Sequence, residues 1–252
     1  MESVLVVLAF GLAMLGVERA SPGRSFERVA GWYPRAVLLS VVQAAVAYVA
    51  TATWDLRFPQ FAPWHAGGFG LLPDALLGYF VLTFVYYWWH RARHEVPILW
   101  QLLHQVHHSP CSIEVMTSFY KHPVETLLNG MLSSTILYLL LGLDAPSASL
   151  AVLLSGVAEL FYHWNVKTPH WLGYVFQRPE SHCVHHQRGR HRNNFSDLPL
   201  WDILFGTFEN PRTPPPACGF GPVGERQLAP MLMGRNVLAE HAPAAATPQQ
   251  GE

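Results

Sequence analysis

The residues of this 252-residue chain whose types and spacing could do chemistry are its histidines, 14 in all. Five fall in the run HRARHEVPILWQLLHQVHH, as H-x3-H (His90, His94) and then H-x2-H-H (His104, His107, His108). A second H-x2-H-H, in SHCVHH, carries His182, His185 and His186. Residues three and four apart share a helix face, so each cluster offers its imidazoles to one region of space. Imidazole suits Zn, Cu, Fe and Ni alike. Eight such groups exceed the four ligands of one tetrahedral zinc and fit two metals. No second His completes an H-E-x-x-H from His94 and Glu95, which excludes a zinc-protease motif. Bis-His haem would use single histidines on facing spans rather than grouped ones at span ends. Scattered histidines (His65, His170, His191, His241) read as core or interface residues. Cys183, inside the third cluster, reads as a small residue filling a helix face.

The elements that position these clusters are legible from prolines and from geometry. On one continuous helix, His90 and His108 would lie about 27 Å apart at 1.5 Å per residue, whereas paired metals sit roughly 3.5–4 Å apart. The helix must therefore break, and Pro97 supplies the break. Pro110 stops the next helix after His108. Pro179 opens a fresh helix for the third cluster, and Gly189 offers its end.

Composition places that scaffold in a membrane. Half of the residues are hydrophobic and only 13% are charged, about half the usual charged fraction of roughly 25%. Apolar segments at 3–17, 36–54 and 71–89 read as membrane spans, and 124–142 with 146–162, joined by a very short turn around Asp144, as either a full hairpin across the bilayer or a shallower one dipping into it. The segment 3–17 lacks the basic residues that precede a cleaved signal, so it reads as a retained helix. Of the 16 Lys and Arg, only Arg57 falls in the 55–70 loop. Basic residues mark the cytoplasmic side, so the N-terminus is expected outside and all three histidine clusters at the cytoplasmic face. That predicts a multi-pass protein of the inner membrane in a bacterium or the endoplasmic reticulum in a eukaryote. The expected fold is all-α: a membrane helical bundle of four to five segments in a single domain, 1–241. A cytoplasmic cap over 90–123 and 163–210 would carry the dimetal site, and 242–252 would be a disordered tail. A net charge of −1 leaves no footprint for nucleic acid. Three widely spaced cysteines imply no disulfide framework.

Taken together, the clusters resemble the three histidine boxes of the fatty acid hydroxylase/sterol desaturase superfamily. HHQRGRHRNNFSDLPLWDILFGTF is similar to that family's closing block, TSFYKHPVE to its linking segment, and FYHWNV to the part carrying an extra histidine. The resemblance covers about 85–225. Two departures stand out: Ser196 occupies a position where many members have Gly, and Lys167 sits where some carry another His. The resemblance implies a metal ligand set of His90, His94, His104, His107, His108, His163, His182, His185 and His186, and leaves His122, His170 and His191 open. It implies two iron ions with O2 as co-substrate, zinc being an inactive substitute, and catalysis resting on the metal ligands alone. The implied reaction is hydroxylation or desaturation of a C–H bond in a lipid such as a fatty acyl chain or sterol. Glu125, Glu159, Asp197 and Asp202 are candidate acceptors for the outer ring nitrogens. The chain shows no flavin, ferredoxin or cytochrome motif, so a separate small cytochrome or ferredoxin with its reductase is the expected electron donor.

Two rival readings follow from the same residues. One is another enzyme on this scaffold, an ether-lipid monooxygenase or an aldehyde-processing member. The other is a metal-binding or metal-transporting membrane protein without oxygenase activity, whose ligands should lie mid-span along a pathway.

Overall fold

A computed structural model describes residues 2–240; His241 and the expected tail at 242–252 lie outside them. The described residues are helical, with one isolated β-bridge, Gln187 to Cys218. Five long helical runs form the frame: α1 (Glu2–Ala20), α2 (Trp32–Ala52), α3 (Leu71–Glu95), α4 (Pro123–Ser134) and α5 (Ala145–His163). Two short helices, α6 (Pro179–His185) and α7 (Pro199–Leu204), belong to the cap.

Among the described residues, three helices are long and apolar enough to cross a membrane: Trp32–Phe61, Leu71–Glu95 and Ala145–His163. On α3, Leu72, Leu76, Phe80, Phe84 and Trp88 are all exposed. Their i, i+4 spacing makes one apolar stripe, the pattern of a lipid-facing helix side. The other side of α3 is buried against α5 and the chain after α4, around Leu82, Ile136, Leu137 and Ala151. Gly78 permits that approach, since a Cβ there would lie 2.9 Å from Leu137 and Leu143 side-chain carbons.

Two boundaries differ from expectation. The third span does not stop at Trp89 but continues to Glu95, so His90 and His94 ride on its last turns. The segment expected as one span at 124–142 divides into α4 and a π-helical stretch, Thr135–Leu140. In it the Leu141 and Leu143 amides reach back to the Ile136 and Leu137 carbonyls.

The cap is tied to the bundle by polar side chains. Glu18 of α1 accepts from the backbone amides of Val115 and Asn165, each at 3.1 Å. Arg35 of α2 pairs with buried Glu225 at 2.6 Å. A second core, Trp32, Leu39, Val106, Tyr120 and Met231, locks α2 onto the chain around the second histidine cluster.

Candidate metal centre

The break at Pro97 occurs as the distances require. Val96 is extended (φ −98°, ψ 110°), and Pro97 opens a new turn that passes through a π-helical segment, Trp100–His104, into Gln105–His108. Such π segments recur at functional sites. The chain folds back, and His90 and His104, fourteen positions apart, face each other at 2.9 Å. The third cluster lies on α6, with Pro179 at its first turn and His186 as its C-cap. The helix therefore closes before Gly189, which instead takes a left-handed turn (φ 75°).

All nine histidines named above come together in two groups. His90, His94, His104, His108 and His185 form one, and His107, His163, His182 and His186 the other. Within each, one ligand atom per residue lies within 4.8 Å of all the rest. The groups abut where the His108 and His186 rings stack, centroids 4.1 Å apart and 15° from parallel. Each H-x2-H-H cluster is shared between them. On a helix, residues i and i+4 lie about 40° apart, whereas i+3 falls on the other side of i. His104 and His108 thus join one group and His107 the other; His182 and His186 pair, and His185 crosses over.

Hydrogen bonding fixes the tautomers. A carbonyl oxygen can only accept, so each Nδ1 facing one must carry the proton. His90 donates to the Phe195 carbonyl (2.7 Å), His94 to that of His191 (2.8 Å), His185 to that of Asn193 (2.7 Å), and His163 to that of Glu159 (2.9 Å). His104 Nδ1 lies 2.9 Å from a Glu125 carboxylate oxygen, which also pairs with Arg93. Burial pushes His185 down to about 3, so it is neutral at physiological pH. The Nε2 atoms of these rings are therefore bare lone pairs.

Two such lone pairs, His90 Nε2 and His104 Nε2, confront each other at 2.9 Å without a proton to share. The Nε2 atoms of His94 and His185 are buried with no partner. His182 Nε2 lies 3.0 Å from that of His163 and 3.1 Å from that of His186. Lone pairs converging this closely repel unless a cation lies between them. Two imidazoles bound at about 2.1 Å at right angles hold their nitrogens about 3 Å apart. The residues present fit a pair of metal ions.

The remaining candidates separate cleanly. His65 packs against the Gly142 carbonyl, His170 against that of Asn210, and His122 caps α4 by accepting from the Val124 amide. His191 lies at the centre's edge, its Nδ1 3.2 Å from that of His108. Its left-handed backbone (φ 45°) aims its own carbonyl at His94. Cys183 is buried beside Ile113 and Cys218 and joins neither group. Of the four acids, Glu125 is the one whose carboxylate meets a ring nitrogen of the groups. Glu159 serves His163 through its backbone carbonyl and pairs its carboxylate with Lys121. Asp202 accepts from the Phe195 and Ser196 amides (2.8 and 3.1 Å), holding the turn that offers the Phe195 carbonyl to His90. Asp197 takes a hydrogen bond from Ser155 (3.3 Å) rather than from a histidine. Sequence reasoning passed over Arg93, whose pairing with Glu125 follows from its place three residues after His90 on the same buried side.

A cavity of about 210 Å³ opens beside the two groups, between His90, His104, His107 and His182 and the inner sides of α4 and α5. Its other walls carry Arg93, Lys121, Glu125, Glu159 and Asp197. Burial, with Glu159 nearby, pushes Asp197 up to about 7.

Residues 75–207, more than half of the chain, match the fatty acid hydroxylase family. Among similar proteins is the alkylglycerol monooxygenase of Homo sapiens, 35% identical over 54% of this chain and 30% of that protein. The sphingolipid C4-hydroxylase sur2 of Schizosaccharomyces pombe is 28% identical over 64% of this chain and 57% of its own length. The ornithine lipid hydroxylase OlsE of Rhizobium tropici is 32% identical over 56% and 43% respectively. The chain thus covers between about a third and three fifths of these relatives. No solved structure matches it. With its three histidine clusters drawn into one buried centre inside the matched region, the chain belongs to the fatty acid hydroxylase family.

Proposed function

We propose that the protein is a membrane-bound lipid oxygenase that uses two iron ions and O2 to hydroxylate or desaturate a C–H bond. The observation that carries this reading is the confrontation of bare imidazole nitrogens in two abutting groups beside a cavity walled by membrane helices. In hydroxylation one oxygen atom enters the C–H bond and the other leaves as water, which requires two electrons and two protons from a separate reductant. Bound iron would supply the activation of O2; His90, His94, His104, His108 and His185 would hold one ion, and His107, His163, His182 and His186 the other. The chain's other residues orient this shell: the carbonyls of Phe195, His191, Asn193 and Glu159, with Glu125, fix the ring tautomers and directions. The relatives are named for an alkylglycerol, a sphingolipid and an ornithine lipid, which supports a polar-headed membrane lipid as substrate. The distribution of Lys and Arg supports five membrane segments with the metal face on the cytoplasmic side.

A metal transporter would need ligands along a path through the bilayer; these nitrogens are sealed at helix ends. The test is turnover by the purified, iron-loaded protein given O2 and a reductant, with lipid product followed by mass spectrometry. Turnover should require all three and vanish in the His185→Ala/His186→Ala double variant. Full lipid oxidation by that variant would contradict the assignment.

A further inference from the structure

Helix α5 presents two different faces to two different cavities. Val152, Ser155, Gly156 and Glu159 line the polar chamber beside the histidines. Leu154, Val157, Ala158 and Phe161 line a second cavity of about 390 Å³, which Leu172 and Phe176 also line. Each set follows i, i+3, i+4, i+7, so the helix itself is the partition. Among the described residues, Tyr162 and Asp197 alone border both spaces. At that shared border Asp197 accepts from Ser155 of the partition helix at 3.3 Å, with Tyr162 beside it on the walls of both cavities. On the inner side, the Tyr162 ring lies 4.4 Å from that of His182, centroid to centroid.

The second cavity is bordered by side chains that suit a bilayer. The segment flanking it exposes Trp171 (64%), Tyr174 (57%) and Phe176 (43%), the aromatic set that settles at membrane interfaces. Its volume falls in the range of ligand sites, and apart from Gln177, Asp197 and the tyrosine hydroxyls its walls are apolar.

Building on the lipid-oxygenase reading, we propose that this groove receives the hydrocarbon tail of a bilayer lipid, and that the Tyr162–Asp197 pair is the latch between groove and metal chamber. The latch then decides how far a tail advances past α5, and hence which carbon reaches the histidines.

The test uses the full chain in phosphatidylcholine nanodiscs and a palmitic acid analogue bearing a diazirine at its terminal carbon. After irradiation, peptide mapping should find label on Leu154, Phe161, Leu172 and Phe176. Ala158→Trp should fill the groove and remove that label while metal content and thermal midpoint stay unchanged. Tyr162→Phe should let label reach Val152 and Leu82 in the chamber. Label confined to the outer stripe of α3, or undiminished by Ala158→Trp, overturns the groove; an unchanged map in Tyr162→Phe overturns the latch. Groove label in a protein that oxidises no lipid would sink the oxygenase reading and leave the groove standing. Lipid oxidation with an unlabelled groove would do the reverse.

Discussion

The two imidazole groups are held differently. In the five-membered group, four rings have an outer nitrogen fixed by the protein: His90, His94 and His185 by carbonyls, His104 by Glu125. In the four-membered group only His163 has such an anchor, while the Nδ1 atoms of His107, His182 and His186 are buried without a partner. Anchored rings are prepaid in orientation and are more basic ligands. The five-membered group is the preorganised half, and the other is shaped more by what it binds.

Ways to break that comparison fall in order of size. Removing Glu125 should do the most damage. Glu125→Ala strips His104 of its anchor and leaves Arg93 buried and unpaired, costing roughly 3–5 kcal/mol of stability. The expected readouts are a collapse in thermal midpoint and an about 10–100-fold loss of metal affinity in the five-membered group. A variant with wild-type melting and metal content would refute the anchoring role.

Next in size is stepwise metal release. On titration with a chelator, the four-membered group should empty first, roughly tenfold more readily. Spectroscopy of the remaining ion should report five imidazoles rather than four. Release of both ions in a single step would erase the distinction.

A smaller effect concerns the turn that feeds the five-membered group. Asn194→Ala removes side-chain bonds to the Ser181 and Glu209 carbonyls (2.8 and 2.9 Å) and to the Glu209 amide (2.8 Å). Each such bond contributes about 1 kcal/mol, so thermal stability should fall measurably. The five-membered group should lose metal before the four-membered one does, reversing the wild-type order. An unaltered order would show that the turn does not position His94 and His185.

The smallest is a pH slope. Burial pushes Asp202 from 3.8 up to about 6. Across that window the folded protein holds a proton that the unfolded chain has released, so this group's contribution to stability falls as pH rises and is flat above it. Melting curves of Asp202→Asn should lack that slope; an identical pH profile in the variant would remove Asp202 as its source.

Much of the geometry of this centre is legible in the sequence, and the reasons are local. The spacing of His90 with His94, and of each H-x2-H-H, reports helix phase, and Pro97 reports the break that lets two clusters meet. What stayed hidden depends on docking. Which of the third cluster's histidines crosses to the first group is set by how α6 docks, with His185 joining His90 and His94 while His182 and His186 join His107. The outer anchors are mostly backbone carbonyls, which carry no residue-type signal. The nearest hint was the Asn-rich run around His191, Asn193 and Asn194, whose left-handed backbones aim two of those carbonyls. Glu159 is one of the candidate carboxylate acceptors, yet it meets His163 through its main chain. The π-helical turn at Trp100–His104 left no mark in the pattern of apolar residues.

The central claim is that these nine imidazoles hold two metal ions. Elemental analysis of the detergent-purified protein, combined with Mössbauer spectroscopy, tests it directly. The account predicts two iron ions per chain in distinct nitrogen-rich environments, one bound by five imidazoles and one by four. A chain that takes up a single ion or none under iron-replete expression, yet oxidises lipid at full rate, would contradict it.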